Sequence, residues 1–300
     1  MGLNEMKEIR EEIDETVVYY ERLDDWLTLE QVIRGNKFIM PIKHLHDEYE
    51  IYYLIEGNRY YFINQQTYEV KKGSLVFVDR NQIHKTAAMQ DENRIHERIL
   101  IQVSRDTLVR LSPLFGGIDM VNFFMERFGV LELTEEEQEW AEEILKTMKM
   151  ELVEREKGYE SVLEIKLAEL LIFSARRKQV SILNEISTVS SSKHNKISEI
   201  AQYLTAYYAR NESLDILAQK FFISKYYMCK SFKEVTGFTI IEYVNMLKIK
   251  EAEKYLVETD YKVTDIAEMV GYESITYFER VFKATVGISP LKFRKSKVQQ

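Results

Sequence analysis

Residues 217–237, LAQKFFISKYYMCKSFKEVTG, recur in altered form as residues 266–287, IAEMVGYESITYFERVFKATVG. The copies align at an offset of 49 before a short turn and 50 after it. This sets Ala218 on Ala267, Tyr227 on Tyr277, Lys230 on Arg280, Phe232 on Phe282, Lys233 on Lys283 and Gly237 on Gly287. Each copy reads as a helix, a turn and a second helix. Ala218 and Ala267 let the two helices of a unit approach closely, and Gly271 suits a left-handed backbone position in the second turn. One amphipathic helix pair is compatible with an ordinary bundle. Two copies at matched spacing predict a pair of helix-turn-helix units.

The second helix of each copy has two faces. Met228 and Phe232, like Phe278 and Phe282, are four apart and are expected to face a core. The opposite face carries Lys225, Tyr226, Cys229, Lys230 and Lys233 in one copy, and Ile275, Thr276, Glu279, Arg280 and Lys283 in the other. Arg280 can bridge a guanine edge with two hydrogen bonds, whereas Lys230 offers a point charge to a guanine or a phosphate. Between the copies, 240–258 reads as one helix with apolar positions Ile241, Val244, Leu247, Ile249, Ala252 and Leu256. Such a helix is about 28 Å long, close to the roughly 34 Å between successive major-groove turns of B-DNA.

The C-terminal hundred residues resemble the AraC/XylS family of bacterial transcription regulators. The stretch that carries the resemblance is IAEMVGYESITYFERVFKATVGISPLKFR, 266–294, with Gly271 and Tyr272 in the turn, then Tyr277, Phe278, Arg280, Phe282, Lys283, Gly287, Ser289, Pro290, Phe293 and Arg294. The resemblance implies a seven-helix DNA-binding domain whose second and sixth helices belong to the two reading units, with base contacts from the exposed positions above. It also implies double-stranded DNA and RNA polymerase as partners, a small-molecule effector, activation as the mode of control, and a homodimer. Two positions depart from the family pattern. Lys230 stands where arginine is usual, and Glu279 places an acid at a reading position, where it could accept from a cytosine amine or discourage wrong sites.

Charge is divided along the chain. The formal net charge is −8, yet residues 193–300 hold 17 Lys and Arg against 13 Asp and Glu, while residues 1–192 hold 24 against 36. A mildly basic end joined to an acidic one fits a polyanion-binding part attached to a sensing part. Three prolines and eleven glycines in 300 residues argue against extensive disorder. No run is apolar and long enough for a membrane span, and the charged first thirty residues lack a signal-peptide core. The single cysteine, Cys229, cannot form an intrachain disulfide, which fits a cytoplasmic location.

From about 38 to 103 the chain reads as short strands: EIYYLI, RYYFIN, TYEV, SLVFV and RILIQV, separated by turn residues. A compact β-barrel or sandwich is expected. After Leu133, Thr134 and Glu137 form a capping-box pattern, followed by Trp140, Ile144, Leu145, Met148 and Leu152 at helical spacing. A second helix, about 161–178, is apolar at Val162, Ile165, Leu167, Leu170 and Leu171. This hairpin either packs on the barrel or forms a dimer contact. The serine-rich stretch 184–196 marks the domain boundary.

One stretch in the first half carries chemistry. In KHLHDEYEIYYLIEG, 43–57, His44, His46 and Glu50 share one parity and would point the same way from a strand. HLHDEYE, followed by six residues and Gly57, looks like the first cupin motif, and GSLVFVDRNQIH, 73–84, has the glycine-to-histidine spacing of the second. Asp79 and Asn81 replace the usual proline and glycine, and Ala88 occupies the later asparagine position. The ligands implied are His44, His46, Glu50 and His84, a set that suits a divalent transition metal with open positions. The same four could instead be polar residues of a barrel that holds no metal. Tyr52 shares the parity of Glu50, and Tyr60 and Phe62 lie on the next strand, where aromatic faces suit a carbohydrate or simply fill the core. His96 and His194 sit in no motif and read as surface or packing residues.

The expected fold is therefore multidomain α+β. A cupin-like ligand-sensing and dimerisation domain spans 1–180, with barrel 38–103 and helices 134–178. A linker follows at 181–195, then an all-α domain at 196–300 with two helix-turn-helix units joined by a linker helix. The ligand pocket is expected to use His44, His46, Glu50, Tyr52 and His84. The expected function is that of a cytoplasmic, sequence-specific DNA-binding regulator rather than an enzyme. The alternative is a metal-dependent cupin enzyme with an attached helical domain.

Overall fold

The computed structural model describes residues 15–24, 26–35, 48–80, 82–89, 95–126, 129–181 and 191–298. Two compact units emerge, Met1–Ser190 and Ser191–Gln300. Among the described residues no helix is long and apolar enough to cross a membrane.

The first unit is built on two sheets. Its strands are β1 (Glu15–Leu23), β2 (Leu27–Arg34), β3 (Tyr49–Glu56), β4 (Arg59–Ile63), β5 (Gln66–Val70), β6 (Ser74–Val78), β7 (His84–Ala88), β8 (His96–Val103) and β9 (Gly129–Glu132). Six strands in the order β1-β2-β8-β3-β6-β9 make one sheet, and β5-β4-β7 make the other. The strands described here form two sheets face to face, without a hydrogen-bonded ring. Strands also lie beyond 38–103 at both ends: β1 and β2 precede that span and β9 follows it. β1 is an edge strand that alternates half-buried and exposed residues, so its apolar content is thin and laced with charge.

Strand alternation gives the larger sheet two working faces. Residues of odd number on β3 and β8, including Ile51, Tyr53, Ile99 and Ile101, join the main core with Leu27, Leu29, Leu75 and Phe77. Helices cover that face: α1 (Arg105–Leu111), α2 (Met120–Glu126), α3 (Glu135–Glu154) and α4 (Tyr159–Ser181). The α3–α4 hairpin contributes Ile144, Leu145, Met148, Leu163, Leu167, Leu170 and Leu171 to the core. Thr134 and Glu137 close the expected capping box at the start of α3. Ile165, one of the apolar positions of the second hairpin helix, is exposed. Residues of even number, Tyr52, Leu54, Val76 and Val78, meet Tyr61, Ile63 and Val70 of the smaller sheet in a second core between the sheets.

The second unit has seven helices among the described residues: α5 (Ser192–Tyr207), α6 (Leu214–Lys220), α7 (Lys225–Thr236), α8 (Ile240–Glu258), α9 (Val263–Met269), α10 (Ile275–Val286) and α11 (Pro290–Val298). Ser224 and Ser274 cap α7 and α10 by accepting from the amides of Tyr227 and Tyr277, and Gly237 and Gly287 end them in the left-handed conformation. A capping box of Thr239 and Glu242 starts α8. The buried face of α8 differs from the sequence expectation. Ile241 is exposed, while Tyr243 and Lys248 are buried with Ile249, Ala252 and Leu256.

Tyr243 packs edge-on against Phe232, ring centroids 5.3 Å apart, and burial pushes its phenol up to about 12. Its ordinary value is 10. Between those values the unfolded chain has lost a proton that the folded one retains, so stability falls as pH rises, by about 1.4 kcal/mol per pH unit. Urea denaturation across that alkaline range should show stability falling with pH, and Tyr243→Phe should lessen the slope by about this amount. An unchanged slope in the variant would remove Tyr243 from the cause.

Candidate functional site

The two inter-helix turns follow one backbone plan. In the first, the amide of Ile223 donates to the carbonyl of Ala218 and that of Phe222 to Gln219; in the second, Tyr272 donates to Ala267 and Gly271 to Glu268. Both are Schellman endings of the helix before the turn. The left-handed position is Gly271 in the second turn, at φ +84°, and Phe222 in the first, at φ +56°. A bulky residue in that region is strained. Phe222 is 95% exposed, so its side chain meets no obstacle. At Gly271 a Cβ would stand 2.8 Å from the Ala209 carbonyl oxygen and 3.0 Å from its Cα, so only glycine fits there.

These turns set α7 and α10 in equivalent attitudes. Met228, Phe232, Phe278 and Phe282 are fully buried, as their spacing predicts. On the outer faces Lys225, Tyr226, Lys230, Lys233, Ile275, Thr276, Glu279, Arg280 and Lys283 are exposed and Cys229 is half-buried. Lys225 is engaged with Asp215 at 2.9 Å, and the Arg280 guanidinium lies 5.2 Å from the centre of the Tyr277 ring. Charged and polar side chains, with Tyr226 and Ile275 among them, thus form two exposed strips on one helical unit.

Lys248 holds the strips in place, a role its sequence context did not signal. Its Nζ donates to the Gly271 carbonyl at 2.7 Å and to the Asn211 side chain, and it lies 4.9 Å from the Tyr272 ring centre. Burial lowers its pKa, against a smaller opposing effect from Glu273. The linker helix is thereby fastened to the second turn and to the segment before α6.

In the β unit, two of the four cupin-type candidates are described. The Glu50 carboxylate is buried and accepts from Tyr61 Oη at 2.6 Å, and its other oxygen is 3.5 Å from His84 Nε2. His84 Nδ1 is 2.8 Å from the Gln82 carbonyl, which only accepts, so Nδ1 carries the proton and Nε2 is turned to Glu50. An imidazole steadied through Nδ1 by a backbone carbonyl is a common arrangement for a metal ligand. Glu50 and His84 therefore fit as two members of a donor set, with no group of three or more among the described residues. His44 and His46 lie outside the described residues.

Around this pair the aromatics differ from expectation. Tyr61, rather than Tyr60 or Phe62, faces Tyr52, at 5.3 Å between ring centres. Burial first, then the Glu50 carboxylate, holds the Tyr61 phenol well above its ordinary range, so it remains a donor. Tyr60 and Phe62 are buried in packing. His96 and His194 are buried as well, the latter 2.9 Å from the Ser191 hydroxyl.

Comparison with known proteins joins the two halves. Residues 34–105 match the family described as AraC-like ligand binding domain, and residues 217–296 match a helix-turn-helix domain family. The probable transcription factor PqrA of Proteus vulgaris is 36% identical over 104 residues, 34% of this chain and 85% of PqrA. The chain belongs to the AraC/XylS family. Across nearly the whole length, the transcriptional activator RhaR of Klebsiella pneumoniae is 22% identical over 256 residues, 84% of this chain and 87% of RhaR. The bifunctional transcriptional activator/DNA repair enzyme AdaA of Bacillus subtilis is 33% identical over 102 residues, 34% of this chain. The chain spans about half of AdaA's length, 48%. The helix-turn-helix match covers both inter-helix turns, and the ligand-binding match covers Glu50, Tyr52, Tyr61 and His84.

Proposed function

We propose that this AraC-type chain is a sequence-specific transcription activator that reads double-stranded DNA with α7 and α10 and answers to a small molecule held between its sheets. The observation that carries the reading is the pair of equivalent helices with exposed polar strips, braced into one unit by Lys248. In this reading Arg280 and Lys230 read bases, with Lys225, Tyr226, Cys229, Lys233, Ile275, Thr276, Glu279 and Lys283 lining the same strips. Contacts from both helices to one DNA require neighbouring major-groove turns, and the 19-residue α8 between them has about the length for it.

A route from effector to output is supported on β3. Tyr52 faces the inter-sheet core, and its neighbour Tyr53 points the other way, where its hydroxyl donates to Glu142 of α3 at 2.7 Å. A ligand that displaces β3 would be felt by the hairpin through that bond, provided it binds one arrangement better than the other. The hairpin also carries an apolar groove of about 710 Å³ with Trp140, Ile165 and Phe173, which supports it as the homodimer contact. RNA polymerase is the partner that activation requires, and the cytoplasm is where it would be met. A metal on His44, His46, Glu50 and His84 would give a ligand an electrophilic anchor in the same space.

Selection of genomic fragments on the purified full chain at moderate salt tests the reading. A sharp sequence motif spanning two half-sites about one helical turn apart is expected. Binding that is sequence-blind and lost with modest added salt would overturn it.

A further inference from the structure

The space between the two sheets is not purely apolar. Arg34, Arg59 and Arg98 are all buried there, at 7%, 5% and 4% exposure, with Tyr52 at 2%. Two of the guanidinium groups have carboxylates: Arg34 Nε is 2.5 Å from Glu15 and Arg98 Nη2 is 2.6 Å from Glu30. Glu50, the third acid nearby, accepts from Tyr61 and faces His84. Arg59 forms no ion pair or side-chain hydrogen bond among the described residues. Three buried donors, Arg59 Nε, Arg98 Nη1 and Tyr52 Oη, have no hydrogen-bond partner among the described residues. A buried guanidinium without an anion is a state that protein interiors avoid.

The three donors belong to one place. Arg98 lies 5.9 Å from the centre of the Tyr52 ring. Arg59 shares its face of β4 with Tyr61, two residues on, and Tyr61 packs against Tyr52 across the sandwich. Burial depresses the Arg59 guanidinium below its ordinary value; Tyr52 partly offsets this and Arg34 adds to it. Both neighbours named there sit in the same cluster.

We propose that the effector carries an anionic group, a carboxylate or a phosphate, and that Arg59, Arg98 and Tyr52 bind it between the sheets. This rests on the reading of the β unit as the effector-binding part of a regulator. The anion supplies the acceptors that the three donors lack and the charge that Arg59 lacks. Arginine's planar fork suits both oxyanions. The Tyr52 and Tyr61 rings provide an adjoining apolar and aromatic wall for the rest of the molecule. Selectivity against uncharged analogues follows directly, because they would leave the buried donors unmet.

The test is thermal melting of the full chain with inorganic phosphate, acetate or glucose at constant ionic strength, in wild type, Arg59→Met and Arg59→Lys. A saturable upward shift is expected with one anion and none with glucose. A response to phosphate marks a phosphorylated effector, and a response to acetate marks a carboxylate one. Arg59→Met should weaken that response at least tenfold, with part of it kept in Arg59→Lys. Without any anion Arg59→Met should melt above wild type, because it removes an uncompensated buried charge. The proposal is overturned if neither anion shifts the wild type, if Arg59→Met responds as wild type does, or if Arg59→Met melts lower without anion. Fragment selection by the wild-type chain reports separately on the regulator reading, so a failure there is distinguishable from a failure here.

Discussion

Gly271→Ala is expected to lower the melting temperature of the helical unit by roughly 10 °C or more, at about 4–8 °C per kcal/mol for a domain of this size. Two costs add. A side chain at φ +84° incurs roughly 1–2 kcal/mol. The new Cβ would also press on the Ala209 backbone, at 2.8 Å from its oxygen, and overpacking against atoms that cannot rotate away typically costs about 1–3 kcal/mol. The equivalent change in the first turn runs the other way. Phe222→Gly relieves a strained left-handed residue and loses no packing, because Phe222 is almost wholly exposed. Set against glycine's entropic cost of roughly 0.5–1 kcal/mol, the variant should be unchanged or slightly stabilised. Circular dichroism melts of both variants check the pair. Equal behaviour would mean that Ala209 does not approach the second turn so closely.

The double variant Lys230→Ala/Arg280→Ala should lose at least roughly thirtyfold in operator affinity. A base-edge contact contributes about 1–3 kcal/mol and a charged phosphate contact a comparable amount at moderate salt, and the two residues lie on separate helices, so their losses should add. The single variants should differ in kind. Arg280→Ala relaxes preference at one base pair. Lys230→Ala, if its partner is a phosphate, weakens all sequences alike and lowers the salt slope by about one. Fluorescence anisotropy on specific and scrambled duplexes at several salt concentrations separates these outcomes. An Arg280→Ala protein that binds and discriminates as wild type does would remove α10 from base reading.

Much of this architecture was legible because the repeat states it twice. Met228, Phe232, Phe278 and Phe282 are buried where four-residue spacing puts them, and the Thr134 capping box starts its helix. Elsewhere local pattern was silent or misleading. β1 and β2 carry no clear strand signal, because ETVVYYERL and LTLEQVIR are laced with charges that a partly exposed sheet region tolerates. On β4 all five residues are buried, so periodicity could not say that Tyr61, and not Tyr60 or Phe62, meets Tyr52. Lys248 reads as a solvated lysine on an amphipathic helix; only the fold brings the Gly271 carbonyl and Asn211 to it, 23 and 37 residues away in sequence. Arg59 and Arg98 were invisible for the same reason. A buried charge in a strand looks like a surface one until its neighbours are known.

The fastening of α8 by Lys248 turns the helical unit into a ruler. A reader whose two helices pivoted freely could track half-sites at several separations. Here the helix that follows α7 in the chain grips the turn before α10 through a buried ammonium, which restricts how far α10 can swing relative to α8. A site lengthened by one base pair presents its second half a tenth of a turn out of phase, and any accommodation has to come from twisting or bending the duplex. If α7 and α10 read the two half-sites as proposed, spacing is then part of the message, and sequences with two good half-sites at the wrong interval should bind no better than sequences with one.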